Sequence, residues 1–345
     1  MTIKKLDDMV NGLDVRHEPP VTQYLSTGCD ILDLAIADRL PGGFGAGRIN
    51  HIWGTESSSK SMLVAEVLRS AQALGGFIEL VDSETTFDMA RAETLHDLNV
   101  NDLTRLTSDD LDEEQDLTVE YLFDTVIKGG LVKANKKVKA PDLIAIDSLS
   151  AISSEVELAD DISTKTYGAT RAKALSTGFR KYIWKLTQAN LTLLFVDQTR
   201  DNVGVTFGSK YTMSGGKALG FYASTRMFTK VDSKLKNKYG KVIGIVVEFK
   251  VDKNKIAPPF REGTFRILFD YGIDNVGTNI LWLKENDPDY KAGKGYYVFD
   301  GKKLQGLEKA IAYIENEKLE KALSKEVYRV WKIVYEPLDR TRRRR

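Results

Sequence analysis

Cysteine, net charge and long apolar segments are all scarce in this chain. Its 345 residues include a single cysteine, Cys29, which excludes an intrachain disulfide and with it the class of disulfide-stabilised secreted domains. No apolar run approaches the roughly 18 residues that a membrane-spanning helix requires. The first residues also lack the basic start and apolar stretch of a secretion signal. We therefore expect a cytoplasmic protein with no membrane partner.

The overall charge is balanced, because 50 Lys and Arg residues stand against 49 Asp and Glu, a net charge of +1. The balance hides local clusters. Residues 109–120 are acidic, residues 128–139 and 226–255 are rich in lysine and arginine, and the chain ends in TRRRR. Basic clusters permit nucleic-acid binding, although any one of them is more often a solvated face. Composition alone therefore identifies no partner.

The sequence HIWGTESSSKS at residues 51–61 has the layout of a phosphate-binding loop. An apolar strand reaches a turn at Gly54, and the pair Lys60-Ser61 opens a helix-compatible run. In such a loop the backbone N–H groups face the anion, the lysine reaches the terminal phosphates and the hydroxyl binds Mg²⁺. Ser59 replaces the second glycine of the pattern, and its backbone must adopt a conformation that costs a non-glycine residue about 1 kcal/mol. The alternative, a serine-rich loop that caps a helix beside a chance lysine, stays open.

Strand-like apolar runs alternate with helical stretches from about residue 24 to residue 271. The predicted strands are residues 48–53, 77–82, 142–147, 191–197, 242–251 and 264–269. Continuously apolar runs such as LIAID are typical of central strands that are covered on both faces. We therefore predict an α/β fold with a mostly parallel central sheet, whose ligands bind at the carboxyl ends of the strands.

The chain divides into three predicted parts. Residues 1–23 form a short helical arm and a proline-containing linker. Residues 24–274 form the α/β core. Residues 275–345 form a small α+β C-terminal domain, in which amphipathic helical spacing extends over residues 306–335.

Three predicted strands end in polar residues at the edge that carries the phosphate-binding loop. Asp147 closes the strand LIAID, as a Walker-B carboxylate does when it holds Mg²⁺ through water or Ser61. Glu84 follows the strand FIELVD and has the chemistry of a base that activates water. Gln198 ends the strand LTLLFVDQ, where an amide can bind the γ-phosphate ahead of the glycine-rich stretch 199–220. For the carboxylates, helix capping or a surface ion pair remains the alternative.

Six segments, taken in order, resemble the bacterial RecA recombinase family: GTESSSKS, LVDSETTFD, LIAIDSLSAI, LFVDQTRDNVGVTFGS, SGGKALGFYASTR and DKNKIAPPF. Their order and spacing match the RecA core from about residue 24 to residue 285. The patterns GGxALxFYASxR and KNKIAxPF are far more specific than a phosphate-binding loop. The resemblance implies a RecA-like P-loop NTPase core that uses ATP and Mg²⁺.

The resemblance also implies roles at the nucleotide. Glu84 corresponds to the catalytic glutamate, Lys60 to the phosphate-binding lysine and Gln198 to the γ-phosphate sensor. Ser61 and Asp147 correspond to the Mg²⁺ ligands. The implied ATP-binding residues are Gly54, Glu56, Ser57, Ser58, Ser59, Lys60, Ser61, Asp88, Arg91 and Asp147, completed by Lys253 and Lys255 from the neighbouring subunit.

For DNA the resemblance implies two binding loops, at about residues 155–168 and 199–217. The residues that match DNA-facing positions are Lys173, Arg180, Arg200, Gly215, Gly216 and Lys217. Phe221 matches a residue of the subunit interface, and the N-terminal arm resembles a polymerisation helix, although it is shorter. The implied partners are single-stranded DNA, homologous duplex DNA, further copies of the chain in a helical filament, and single-strand-binding and mediator proteins.

The chain departs from the family pattern at four positions and at its end. Ser59 replaces the loop glycine, Asp197 replaces an asparagine and adds negative charge near the phosphates, and Arg91 stands where an aromatic ring stacks on adenine. Gly220 replaces a lysine that joins the contacts to the neighbour's ATP. The basic tail replaces an acidic one, and it either assists DNA capture or has no role. This divergence suggests a phage or mobile-element origin.

The expected function is a DNA-dependent ATPase that forms filaments on single-stranded DNA and catalyses homologous pairing and strand exchange, in a bacterial or phage-infected cell. An alternative is a nucleotide-gated, filament-forming DNA-binding protein with weak or absent hydrolysis, for which Ser59 and Asp197 would be the reason. A third interpretation, a monomeric P-loop kinase, leaves the stretch 199–217 and the KNKIAPPF segment unexplained.

Overall fold

A mixed β-sheet with helices on both faces forms the centre of the molecule. The computed structural model describes residues 20–113, 115–134, 140–159, 169–201, 211–213 and 217–336, and for residues 200, 201, 211–213 and 217 it describes the backbone alone. Several predicted regions lie wholly or partly outside these residues: most of the N-terminal arm, parts of both DNA loops, Gly215, Gly216 and the basic tail.

The six predicted strands are confirmed to within a few residues, and the main sheet has four further strands that were not predicted, at residues 103–106, 211–213, 225–236 and 272–274. The strands are β1 Tyr24–Leu25, β2 Phe44–Gly45, β3 Ile49–Gly54, β4 Ile78–Asp82, β5 Leu103–Leu106, β6 Asp142–Asp147, β7 Leu191–Asp201, β8 Tyr211–Met213, β9 Thr225–Lys236, β10 Val242–Asn254, β11 Glu262–Leu268, β12 Gly272–Asp274, β13 Tyr296–Phe299 and β14 Lys302–Gln305.

The helices follow the strands in the alternation that the sequence predicts. They are α1 Asp30–Ala37, α2 Lys60–Ala73, α3 Met89–His96, α4 (α over Val119–Tyr121, π over Leu122–Ile127, α over Lys128–Ala134), α5 Glu155–Ala159, α6 Ala169–Ala189, α7 Lys217–Tyr222, α8 Asn275–Asn286, α9 Leu307–Asn316 and α10 Glu320–Val334. Within the described ranges, none of them is long and apolar enough to cross a membrane.

The strand order of the main sheet is β12-β11-β10-β9-β3-β7-β6-β4-β5, with β8 paired to β7. The run from β9 to β5 is parallel throughout, whereas β10, β11 and β12 extend one edge in antiparallel fashion. The prediction of an α/β, mostly parallel sheet is therefore confirmed. Because parallel strands share one direction, the ends of β3, β4, β6 and β7 meet at one edge.

The strand β6 illustrates why the centre of the sheet is apolar on both faces. Leu143 and Ala145 join an apolar cluster with α1, α2 and α3, while Ile144 and Ile146 join a second cluster with α4, α6 and α7. All four side chains are fully buried. Since neighbouring residues of a strand point to opposite faces, a continuously apolar run fits only a strand covered on both sides.

The C-terminal helices pack on the same face as α1. Trp331 of α10 is fully buried in the first apolar cluster, and its indole N–H donates a 2.9 Å hydrogen bond to Asp38 Oδ1. The guanidinium of Arg261 lies over the Trp331 ring. The predicted helical spacing over residues 306–335 corresponds to α9 and α10. The predicted domain boundary near residue 275 stays a prediction.

Candidate active site

The loop between β3 and α2 has a strained backbone. Ser57 and Ser59 have φ angles of 56° and 61°, in the left-handed region that favours glycine. The sequence predicted this conformation for Ser59 and missed it for Ser57, because the run of three serines contains no glycine to mark it. Strain of this kind, of order 1 kcal/mol per residue, persists where the surrounding structure fixes the backbone, and it clusters at binding sites.

The strand β9 supports the loop from the side. A Cβ at Gly54 would lie 2.1 Å from the carbonyl oxygen of Thr229, so only glycine fits there. The same carbonyl accepts a 3.1 Å hydrogen bond from the backbone N–H of Thr55. The Ser58 hydroxyl lies 2.9 Å from the Thr229 hydroxyl and donates to the Thr55 carbonyl at 2.7 Å. Thr229 is therefore a structural partner of the loop that sequence reasoning missed, because the contact depends on the β3–β9 pairing.

Lys60 lies beneath the loop and is only 8% exposed. Its Nζ donates to the carbonyl oxygens of Thr55, at 2.7 Å, and Gly54, at 3.3 Å. Burial lowers the pKa of Lys60, while the carboxylates of Asp147 and Glu56 oppose the shift. The two loop carbonyls thus hold the Lys60 ammonium group next to the predicted phosphate site, where a bound phosphate can take their place.

Asp147 ends β6 next to the start of α2. Burial raises the pKa of Asp147 to about 6, and the charge of Glu84 adds to the rise, whereas a hydrogen bond with the Ser61 side chain and the charge of Lys60 lower it. A carboxylate that is disfavoured as a lone buried charge is stabilised by a cation. Asp147 and Ser61 supply the hard oxygen donors that Mg²⁺ prefers, so the residues present fit this metal.

Glu84 lies between Ser148 and Gln198. The Ser148 hydroxyl donates a 2.5 Å hydrogen bond to Glu84 Oε1, and the Gln198 amide donates to the same oxygen at 3.4 Å. The Ser148 hydroxyl also lies 2.8 Å from that of Ser150. The structure therefore brings two of the predicted catalytic residues, Glu84 and Gln198, into direct contact. It adds Ser148, which the sequence analysis did not single out.

Lys60, Ser61, Glu84, Asp147 and Gln198 line one pocket of about 460 Å³. The predicted nucleotide residues in its wall are Glu56, Ser57, Ser58, Ser59, Lys60, Ser61, Glu84, Asp88, Arg91, Asp147 and Gln198. Residues that were not predicted also line it: Met62, Ala65, Thr86, Phe87, Ala92, His96 and Phe269. Gly54 lies at the base of the loop rather than in the wall. The pocket joins a polar end at the loop to a more apolar end at α3.

The end at α3 contains the predicted ATP-binding residues Asp88 and Arg91, of which Arg91 is expected at the adenine. Asp88 caps α3 by accepting a 2.9 Å hydrogen bond from the backbone N–H of Arg91. The Arg91 guanidinium donates to the carbonyl oxygen of Phe269. Arg91 and Phe269 therefore frame this end together. Only the tertiary structure reveals Phe269, since it follows β11, far along the chain.

Asp197 does not line the pocket, although Gln198 does. Its side chain is 1% exposed and its Oδ2 lies 3.1 Å from Nε2 of the fully buried His51. Successive residues of a strand point to opposite faces, so the Asp197 carboxylate lies on the far side of β7 from the Gln198 amide. The negative charge at position 197 is thus directed at a histidine rather than into the pocket.

The residues predicted to act in trans lie outside the pocket of their own chain. Lys253 donates to the carbonyl oxygens of Gly220, at 2.9 Å, and Phe221, at 2.5 Å. The Phe221 side chain is 72% exposed. Lys255 directly follows β10, the strand that contains Lys253, and its backbone N–H donates to the Ser224 carbonyl. The structure does not bring these cations to the pocket, and their role at a neighbour's nucleotide stays a prediction.

The predicted DNA-binding residues are described only in part. Lys173 and Arg180 are exposed, and they stand seven residues apart on one face of α6. Arg200 lies in β7 and Lys217 begins α7, but their side chains are outside the description. The ends of the second loop converge, because Thr199 pairs with Met213 across β7 and β8. Gly215 and Gly216 lie outside the described residues.

Comparison with known proteins gives a consistent result. Residues 9–274 match the family described as the RecA N-terminal domain. The chain is 36% identical over 293 residues to Protein RecA of Fusobacterium nucleatum, a match that covers 85% of this chain and 72% of that protein. It is 34% identical over 294 residues to Protein RecA of Trichodesmium erythraeum, covering 85% and 76%. For Protein RecA of Ehrlichia canis the identity is 36% over 293 residues, covering 84% and 76%. The chain therefore belongs to the RecA family of ATP-using, DNA-dependent ATPases of recombination and repair.

Proposed function

We propose that this chain hydrolyses ATP in the pocket beneath the β3–α2 loop, within a filament on single-stranded DNA, and that this cycle drives pairing and strand exchange with homologous duplex DNA. The observation that carries the proposal is the contact between Glu84 and Gln198 beside the buried Lys60. That contact joins a carboxylate fit to act as a base to the strand that leads into the predicted second DNA loop. A nucleotide site without DNA coupling has no need of such a link.

Glu84 is the proposed base. Its carboxylate takes a proton from the attacking water, and the Ser148 hydroxyl holds Oε1 in position for the transfer. Proton transfer by a positioned side chain contributes typically about 10²–10⁴-fold to the rate. Lys60 leaves the carbonyls of Gly54 and Thr55 for the terminal phosphates, where its charge opposes the charge that develops in the transition state.

Asp147 and Ser61 are the proposed magnesium ligands. When bound, Mg²⁺ supplies charge neutralisation and orients the β- and γ-phosphates. Asp147 would hold the ion with its buried carboxylate, directly or through water, and Ser61 would hold it with its hydroxyl, from the first turn of α2. The rise in the pKa of Asp147 supports this role, because a nearby cation relieves the cost of ionising it.

Gln198 is the proposed sensor of the γ-phosphate. Its amide donates to Glu84 at 3.4 Å, a long hydrogen bond that a phosphate oxygen can replace. Moving the amide pulls on β7, whose residues Thr199 to Asp201 pair with β8 at the base of the second DNA loop. The ends of that loop thereby respond to the state of the nucleotide.

Filament assembly is the second part of the proposal. The exposed Phe221 and the neighbouring Lys253 and Lys255 form a surface that suits contact with another copy. If these lysines reach the neighbour's phosphates, nucleotide binding and assembly stabilise each other. The single strand is held by backbone contacts, so its binding depends on salt and not on sequence. Single-strand-binding and mediator proteins, and a cytoplasmic site of action in a bacterial or phage-infected cell, are part of the same proposal.

The test is steady-state ATP hydrolysis with and without single-stranded DNA, for the wild type, Glu84→Gln and the control Glu93→Gln. Glu93 is an exposed residue of α3 outside the pocket wall. The proposal predicts strong stimulation by DNA in the wild type and in the control, and its loss in Glu84→Gln. Turnover that ignores DNA would overturn it.

One alternative is favoured by a specific observation. The left-handed backbone at Ser57 and Ser59 strains the loop, and a strained loop can slow turnover without preventing binding. A filament that binds DNA only with nucleotide, yet hydrolyses none in the wild type, would establish this binding function instead. Strand exchange with a non-hydrolysable ATP analogue then shows whether pairing needs hydrolysis.

A further inference from the structure

A polar ladder crosses four adjacent strands on the face of the sheet opposite to the nucleotide pocket. The strands are β7, β3, β9 and β10, which are neighbours in this order. The members of the ladder are Asp197 on β7, His51 and Trp53 on β3, Arg226 on β9, and Asp252 on β10. None of them lines the pocket. Asp197 is fully buried, whereas Arg226 and Asp252 are partly buried, and charges removed from water are costly unless they are paired.

The first half of the ladder joins β7 to β3. His51 Nε2 lies 3.1 Å from Asp197 Oδ2, and both side chains are fully removed from solvent. Asp197 Oδ1 and His51 Nδ1 have no hydrogen-bond partner in the described part of the chain. The contact between His51 Nε2 and Asp197 Oδ2 therefore links the two strands laterally.

The second half joins β3 to β10 through β9. The Trp53 indole N–H donates a 2.9 Å hydrogen bond to Asp252 Oδ2. The Arg226 guanidinium stacks over the Trp53 ring at 4.3 Å, and its Nε lies 3.6 Å from the same carboxylate. Trp53, Arg226 and Asp252 thus form a closed triangle in which each member contacts the other two.

Arg226 connects the two halves. It is the register partner of His51 in the parallel pairing of β3 with β9, so the two side chains stand side by side on one face. Burial lowers the pKa of Arg226, and the charges of Asp252 and Asp197 oppose the shift. The guanidinium therefore experiences the carboxylates at both ends of the ladder. Removing it would take away the cation that lies between the two carboxylates.

Two members directly precede residues to which the proposed function gives a nucleotide contact, and a third precedes the first residue of the phosphate-binding loop. Asp197 precedes Gln198, and Asp252 precedes Lys253. Trp53 precedes Gly54, at the start of the phosphate-binding loop. The ladder thus contacts these stretches of the chain on the face of the sheet opposite to the pocket. The residues that follow its members face the proposed nucleotide sites.

We propose that the polar ladder is a positioning device that couples Gln198 of one nucleotide site to Lys253 of the next. The inference rests on the proposed function, because it assumes that both residues contact ATP. Gain or loss of a γ-phosphate at Gln198 shifts the end of β7, and the ladder passes the shift across β3 and β9 to the end of β10. Each member acts through the residue that follows it and touches no substrate itself.

The experiment measures coupling at equilibrium and not turnover. The affinity for a fluorescent single-stranded DNA is measured with ADP and with a non-hydrolysable ATP analogue, and the ratio of the two is the coupling. For the wild type we expect a ratio above about 10. In Arg226→Met, which keeps an apolar stem over Trp53, we expect a ratio below about 3. The affinity for each nucleotide without DNA should stay within about threefold of the wild type.

Two further variants separate positioning from general damage. Arg226→Lys keeps the charge between the carboxylates, and we expect it to restore most of the coupling. Lys230→Met removes the neighbouring cross-strand ion pair with Glu248, 2.9 Å long, on the same two strands, and should leave the coupling intact. If Arg226→Met fails to fold, Asp252→Asn takes its place, since it removes the charge and keeps an acceptor for Trp53.

Each outcome either supports or overturns the coupling role of the polar ladder. Loss of coupling in Arg226→Met (or in Asp252→Asn), with an unchanged melting temperature and rescue by lysine, supports the ladder. A ratio that stays at the wild-type value, or one that falls equally in Lys230→Met, overturns it and leaves the proposed function standing. A wild type whose DNA affinity is the same with both nucleotides overturns the proposed function itself.

Discussion

The Ser148 hydroxyl donates a 2.5 Å hydrogen bond to Oε1 of Glu84. Ser148 directly follows Asp147, so one turn at the end of β6 supplies a proposed metal ligand and then fixes the proposed base. A base that is held by a buried hydroxyl keeps its orientation before substrate arrives. This arrangement leads to a first prediction about turnover.

Ser148→Ala should lower kcat for ATP hydrolysis about tenfold and leave the KM for ATP nearly unchanged, because it removes the hydrogen bond that orients the base without touching the phosphate site. Steady-state kinetics with saturating single-stranded DNA measures both quantities. Ser150→Ala is the matched control, since the Ser150 hydroxyl contacts Ser148 rather than Glu84. A rise in KM with kcat unchanged would show that Ser148 serves binding and not orientation.

The backbone at Ser59 leads to a prediction about stability. Its φ of 61° is unfavourable for any residue with a Cβ, and its side chain makes no capping hydrogen bond to α2. Ser59→Gly should therefore raise the free energy of unfolding by up to about 1 kcal/mol and keep or increase kcat. Ser59→Val should lower it by at least about 1 kcal/mol, because a β-branched residue fits this region worst. Chemical denaturation of the nucleotide-free protein measures both. A Ser59→Gly variant that is less stable than the wild type would contradict the inferred backbone strain at Ser59.

The pKa of Asp147 leads to a prediction about pH. The folded protein keeps a proton on Asp147 up to pH about 6, whereas the unfolded chain releases it near pH 4. The folded state therefore binds more protons in this window, and the contribution of Asp147 to stability falls as the pH rises from about 4 to about 6. Asp147→Asn, a neutral isostere, should match the wild type at pH 4 and exceed it above pH 6 by up to about 3 kcal/mol.

Thermal or urea unfolding of the metal-free and nucleotide-free protein across pH 4–8 tests this prediction. Asp109→Asn, an exposed acidic residue, is the control and should follow the wild type at every pH. Added Mg²⁺ and ATP should remove the advantage of Asp147→Asn, since the cation stabilises the ionised carboxylate. An Asn variant that is less stable than the wild type at pH 7 without ligands would contradict the raised pKa.

The exposed face of α6 leads to a prediction about DNA. If Lys173 and Arg180 each neutralise one phosphate, replacing either by alanine should lower the slope of log affinity against log salt by about 0.7 for a single strand. The loss should be the same for every base sequence. Fluorescence anisotropy between low and moderate salt measures the slope. Lys309→Ala, an exposed lysine of α9, should leave it unchanged. An unchanged slope in both α6 variants would remove them from the DNA site.

The parts of the site that were predictable from sequence are those with a local signature. The loop before α2, the carboxylate that closes LIAID and the amide after LTLLFVD each stand at the end of an apolar strand, and strands of one parallel sheet bring such ends together. Lys60, Glu84, Asp147 and Gln198 do line one pocket. The resemblance to the RecA family supplied the roles that are assigned to them.

The parts that sequence reasoning missed depend on contacts between distant segments. In the sequence, β9 resembles part of a basic run, because its second half is exposed and carries lysines. The contact of Thr229 with the phosphate-binding loop was therefore not predicted. Phe269 reaches the pocket only because it follows β11, which lies between β10 and β12, far from the phosphate-binding loop in sequence. The direction of Asp197 depends on strand parity, and its pairing with His51 on the register of β3 and β7. The register between β3 and β7, like that between β3 and β9, cannot be predicted from the sequence of one segment alone.

The central claim is that ATP is hydrolysed between two copies of the chain, with Glu84 from one and Lys253 and Lys255 from the other. Mixing two inactive variants tests it most directly. Glu84→Gln lacks the base and keeps the lysines, whereas Lys253→Ala/Lys255→Ala keeps the base and lacks the lysines. In a random equimolar filament, about one interface in four pairs an intact base with intact lysines.

Turnover in the presence of single-stranded DNA is measured for each variant and for the mixture, with co-assembly checked by energy transfer between labelled copies. The account predicts little activity in either variant alone and about a quarter of the wild-type rate in the mixture. A co-assembled mixture as inactive as its components would contradict a shared site.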